Sequence, residues 1–141
     1  MRIMIAGLRA APLVLLLALG QAEAAPGCPF AGQRPLLVMR LYFGDGDGAG
    51  GAALSPAEWQ SFLAETVTPR FPNGFTVYDA AGQWQGPKSR RVERENSRVV
   101  EIAAGDTPAT RKAVKEISEL YRAKFHQQAV GLVTTTACAK F

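Results

Sequence analysis

Two segments of this chain, Ser55-Pro56-Ala57-Glu58 and Thr107-Pro108, each place a short hydroxyl side chain directly before a proline. A Ser or Thr there accepts hydrogen bonds from first-turn amides, and proline suits the first helical position, where its missing N–H would have had no partner. Glu58, three residues after Ser55, completes a capping box. Each signal opens an apolar stripe at helical spacing. Trp59, Phe62, Leu63 and Val67 form the first; Ala113, Val114, Ile117, Leu120, Tyr121 and Phe125 form the second. Pro69 ends the first helix, because the residue before a proline avoids the helical region.

These two helices divide four strand-like stretches. Pro35–Phe43 is apolar and rich in bulky residues, and Phe75–Gln85 follows the turn Phe71-Pro72-Asn73-Gly74, with a kink expected at Gly82. Arg98–Ala104 and the β-branched Gly131–Ala137 supply the third and fourth strands. Gly44–Ala53 reads as a flexible loop, and residues 86–96 as a polar connection. The order is β-α-β-β-α-β, the signature of an α+β, ferredoxin-like fold. It predicts a four-stranded antiparallel sheet with strand order 4-1-3-2 and both helices on one face. A length of 141 residues holds one such domain, placed at 35–141. A hydrophobic content of 48% excludes a disordered chain.

Residues 1–24 carry a different signal. Arg2 and Arg9 precede an apolar run through Leu19, and Ala22-Glu23-Ala24 fits the small-x-small rule for cleavage before Ala25. The run is too short to span a bilayer, which needs roughly 20 apolar residues. The chain is therefore expected to be exported, periplasmic or secreted. Removing 1–24 lowers the net charge from +4 to +3, too little to argue for nucleic acid. Export lets a disulfide persist between Cys28, in the amino-terminal segment 25–34, and Cys138. The predicted fold brings their neighbourhoods together, because strands one and four lie antiparallel side by side. A membrane association would require Cys28 to be lipidated instead.

Period-two alternation splits the first strand. Leu37, Met39, Leu41 and Phe43 face the helices; Leu36, Val38, Arg40 and Tyr42 face the open side, joined by Thr76, Tyr78, Val99, Glu101, Thr134 and Thr136. Arg40, Tyr42 and Tyr78 are thus candidate binding residues. Arg70, Asp79, Gln83 and Trp84 flank the turn and second strand, where they line a pocket or tie Arg70 to Asp79. Arg94 belongs to a basic group with Lys88, Arg90, Arg91 and Arg98, interrupted by Glu93 and Glu95. Gly46-Asp47-Gly48-Ala49-Gly50-Gly51 matches G-x-G-x-x-G, but the helix cap at Ser55 lies four residues past its last glycine, too far to offer amides to a pyrophosphate. Asp45 and Asp47 begin like a calcium loop, yet Pro56 stands where the twelfth-position glutamate belongs. His126, the single histidine, offers neither a triad nor a metal pair; it reads as a satisfied or exposed residue near a helix end. No cofactor and no metal are expected.

The blocks Glu58-Trp59-Gln60, Val67-Thr68-Pro69-Arg70-Phe71-Pro72, Gly74, Thr76-Val77, Asp79 and Gly82-Gln83-Trp84 resemble the family of domain of unknown function 3574. Leu41-Tyr42-Phe43-Gly44, Glu95, Ser97, Val99, Tyr121–Phe125 and Gln127 extend that resemblance over nearly all of 36–141. It implies a small exported bacterial protein and transfers no catalytic residue; His126 stands where a small residue is expected. The functional expectation is a non-enzymatic binding or assembly role through the open sheet face, with a homodimer, a small ligand or an envelope protein as partner. The alternative is an enzyme of the dimeric α+β barrel kind, with Asp79 or Glu95 as acid–base group and Arg70 or Arg94 on an anion.

Overall fold

The computed structural model describes residues 27–45, 54–85 and 92–141, with backbone alone at Trp84 and Glu93. The expected signal peptide at 1–24, the glycine-rich match at 46–51 and Lys88, Arg90 and Arg91 lie outside the described residues. Four strands, β1 (Arg34–Gly44), β2 (Thr76–Gln85), β3 (Val92–Ala104) and β4 (Gly131–Ala139), alternate with helices α1 (Pro56–Phe62) and α2 (Pro108–Lys124). All neighbouring strands are antiparallel, in the order β2-β3-β1-β4. The fold is the ferredoxin-like α+β arrangement.

Both helix starts form as their chemistry dictates. Ser55 Oγ accepts from the Glu58 amide while the Glu58 carboxylate accepts from the Ser55 amide, a reciprocal cap worth about 1 kcal/mol. That contact holds the Glu58 carboxyl below its usual range. Thr107 Oγ1 accepts from the Thr110 amide at 3.1 Å. The first helix does not run regularly to Pro69. Leu63–Val67 form a π turn, and the Thr68 amide reaches back to the Leu63 carbonyl at 2.8 Å. Such a turn widens the helix by one residue. It lets Phe62, Leu63, Val67 and Phe71 all enter the core.

The core lies between the helices and one sheet face. Met39, Leu41 and Phe43 of β1 and Val100 and Ile102 of β3 pack on the buried α1 residues and on Val114, Ile117 and Tyr121 of α2. Phe43 is its centre, with ring centroids 4.6 Å from Tyr121, 5.5 Å from Trp59 and 5.9 Å from Phe62. Truncating such a residue to alanine costs about 3–5 kcal/mol. Leu120, expected on the buried stripe, is instead 44% exposed.

Two strand details differ from the sequence expectation. β3 begins at Val92 and not at Arg98, so much of the supposed polar connection is strand, held to β2 by a register running from Gln85↔Val92 to Thr76↔Glu101. That register passes unbroken through Gly82↔Glu95. Thr134 and Thr136 oppose Met39 and Leu37, which places them on the helix side and not on the open side. Every residue from 131 to 137 is exposed, because the helices do not reach over β4.

Cys28 and Cys138 form the disulfide, with Cα atoms 5.5 Å apart. Cys138 pairs in register with Pro35, so the bridge clasps the amino-terminal segment to the end of β4. Gln33 Nε2 adds a bond to the Cys138 carbonyl at 3.4 Å.

Candidate functional site

The helix-free face can be read row by row across the sheet, because opposed residues of antiparallel strands share a face. One row runs Thr76, Glu101, Arg40, Val133; the next runs Tyr78, Val99, Tyr42, Gly131. Arg40 and Glu101, directly opposed, form an ion pair from Nε to Oε2 with both side chains about one-third exposed. Glu101 and the nearby tyrosine hydroxyls raise the Arg40 pKa further above neutrality, so its charge is permanent. Val99 is completely buried although no helix covers this face. Tyr42 and Tyr78 stand on either side of it, 37% and 40% exposed.

Gly131 ends the tyrosine row for a steric reason. A Cβ there would lie 3.2 Å from Tyr42 Cβ. Glycine thus admits the tyrosine close to the β4 backbone. The result is a patch with two half-exposed aromatics, a buried aliphatic floor and one fixed ion pair. Its geometry suits contact with another surface through aromatic area and hydrogen bonds.

A second polar group sits where β1 ends. Tyr121 Oη donates to the Gly44 carbonyl at 2.6 Å. Arg98 Nη2 lies 3.2 Å from Asp45 Oδ1 and donates to the Leu54 carbonyl at 3.3 Å, while its guanidinium sits 5.2 Å over the Trp59 ring. The Asp45 amide donates to the Asn96 carbonyl, and the Leu54 amide to the Asp45 carbonyl at 2.7 Å. Arg98 therefore ties Asp45 and Leu54 to the hairpin and the first helix. Burial, then the Asp45 and Glu95 carboxylates, push the Tyr121 hydroxyl up to about 12. Sequence reasoning passed over this cluster; its one signal was Arg98, a cation on the same strand face as apolar Val100, Ile102 and Ala104.

The sequence-selected residues divide accordingly. Arg40, Tyr42 and Tyr78 meet on the helix-free face. Arg70 lies elsewhere: its Nε bonds Glu116 Oε2 at 3.1 Å and its Nη1 the Thr66 carbonyl at 2.8 Å, so it fastens the end of the first helix to α2 and not to Asp79. Asp79 is exposed and opposes Arg98; Gln83 opposes Arg94 and Trp84 opposes Glu93 on the protruding hairpin. Glu95 is half-buried with Oε1 against Gly44, and it lies too far along the β2–β3 hairpin to meet Asp79 in register. The two candidate carboxylates and Arg70 do not converge. Among the described residues no group of three His, Cys, Asp or Glu side chains is placed to hold a metal.

A one-layer helix cover on an antiparallel sheet, with a tyrosine-lined reverse face, defines the class as a ferredoxin-like α+β protein. The chain belongs to the family described as "Protein of unknown function (DUF3574)", whose model matches residues 38–141. No curated protein sequence matches it. Among solved structures it is similar to a phage SAM lyase in complex with S-methyl-5′-thioadenosine, with TM-score 0.55 and 13% identity, covering 82% of this chain and 97% of that one. At that identity the likeness concerns the fold.

Proposed function

We propose that the protein is an exported, non-enzymatic binding or assembly component of the cell envelope, with the helix-free sheet face as its working surface. The observation carrying this reading is the row Tyr78–Val99–Tyr42 beside the Arg40–Glu101 pair. Tyrosine and arginine are the residue types that most often dominate protein interfaces, because each combines area with directed hydrogen bonds. The patch draws on several adjacent strands, and that breadth favours a protein partner over a small molecule. The Cys28–Cys138 bridge supports an oxidising compartment. Among the described residues no helix is long and apolar enough to cross a membrane. Fold likeness to a lyase supplies no activity, since one fold hosts many functions.

The test is native mass spectrometry of the protein from its own envelope fraction, beside a Tyr42→Ser/Tyr78→Ser variant, followed by denaturing intact mass. A bound envelope protein on the wild type and its loss from the variant are expected. The intact mass should begin at Ala25 and show two hydrogens missing. A partner retained equally by both proteins would remove the sheet face from the mechanism, and a small bound molecule would replace the protein-partner reading. A lipid on Cys28 would overturn the unanchored form.

A further inference from the structure

Strand β4 is the edge of the sheet. An edge strand presents a row of unpaired N–H and C=O groups to any chain that can align with it, and soluble folds normally blunt such edges with lysine, proline, a bulge or a cover. From Gly131 to Ala137 β4 has none of these. Its sequence, GLVTTTACA, holds no charge and no proline, and its register with β1 is unbroken from Gly131 to Ala139. No β4 residue belongs to the helix-side core. Leu132 on one face and Val133 on the other are 49% and 47% exposed, and exposure continues through residue 137. The opposite edge, β2, carries Asp79 and a mid-strand glycine, both unfavourable to edge pairing.

We infer that β4 pairs antiparallel with β4 of a second copy, joining two sheets into one of eight strands. Three features select a copy of this chain as the occupant. The strand is self-complementary: β-branched Val133, Thr134 and Thr135 of one copy would oppose Thr135, Thr134 and Val133 of the other, same-face pairs that stabilise antiparallel ladders. A symmetric edge contact closes after two copies, as most homodimers do. The charges also choose the direction. Arg34 and Lys140 lie at the carboxyl end of β4, while Gly131 and Tyr42 lie at the other. Antiparallel pairing sets the cationic end of each copy beside the uncharged end of its partner, about 30 Å from the other cationic end for a strand of this length. Parallel pairing would put the cations together.

The two-fold axis is then perpendicular to the sheet, so both tyrosine faces lie on the same side and neither is covered. This interface does not rest on the proposed function, and each can fail alone.

The test uses the oxidised chain from Ala25 onward. Sedimentation velocity at about 100 μM should give twice the monomer mass. Leu132→Lys/Val133→Lys should sediment as a monomer with unchanged near-ultraviolet dichroism and an intact disulfide, since both side chains are half-exposed before pairing. Hydrogen exchange on the unaltered protein needs no variant: amides of residues 131–137 should be protected more at high concentration than on dilution. A monomeric wild type overturns the inference. So does a dimer that survives both lysines, or one that dissociates with Tyr42→Ser/Tyr78→Ser instead.

Discussion

Tyr121 donates a hydrogen bond from its phenol to the carbonyl of Gly44 at 2.6 Å, joining residues 77 positions apart. The bond closes the helix side of the molecule at the carboxyl end of β1. Around it stand Asp45, Glu95 and Arg98, and the two carboxylates oppose a phenolate.

Tyr121→Phe keeps the ring contacts with Phe43 and removes the donor, leaving the Gly44 carbonyl unserved. The expected cost is about 1 kcal/mol at neutral pH. The pH dependence has a definite sign. Burial raises the folded pKa from 10 to about 12. Stabilisation by the protonated phenol is therefore full below the unfolded value and fades as pH rises toward the folded one. Urea unfolding of both proteins across that interval should show their difference shrinking. A constant difference would mean that the phenol does not titrate differently in the folded state.

Cys28→Ser, Cys138→Ser and the double variant should be equally destabilised, because each removes the same bond. The two cysteines are separated by 110 positions in the chain. Closing a loop of that size predicts about 4–5 kcal/mol, less any native strain. Denaturant midpoints of the three variants and of the reduced wild type check this. A double variant much weaker than either single would show a second role for one sulfur.

His126 follows the last turn of α2 at φ 54°. That is a left-handed conformation, which glycine adopts without a Cβ clash. The Gln127 amide bonds the Arg122 carbonyl at 3.2 Å. The chain thus reverses here as helices ending in glycine do. His126→Gly should raise stability by about 1 kcal/mol, whereas His126→Ala should gain nothing. Thermal unfolding of the pair decides it; equal melting points would assign the helix stop to Gln127 alone.

The parts of the fold that were legible in the sequence were those with an asymmetric environment. Met39, Leu41 and Phe43 alternate with Arg40 and Tyr42 because one face meets helices and the other does not. The caps at Ser55 and Thr107 were legible because their chemistry is local. β4 was not oriented correctly: Thr134 and Val133 are both exposed, so no hydrophobic contrast marks either face. The outer part of β3 was missed for the same reason, since residues 92–96 owe their strand form to backbone pairing with β2 and not to burial. The π turn at Leu63–Val67 hid within spacings that also suit a regular helix. Of the candidate site, Arg40, Tyr42 and Tyr78 were legible by alternation. The Arg98–Asp45 pair was not, because its members are joined only by the fold.

The position of β1 has a consequence for synthesis. It is the first strand to leave the ribosome and the most apolar, yet it occupies the middle of the sheet, with Leu41 paired to Val100 on one side and to Leu132 on the other. Neither partner exists until most of the chain has been made. The nascent protein must carry a sticky, half-finished centre until β4 is made, and β4 also delivers the cysteine that latches it. Folding is therefore expected to wait for β4, and a truncation that removes β4 should yield an aggregating product and not a smaller domain.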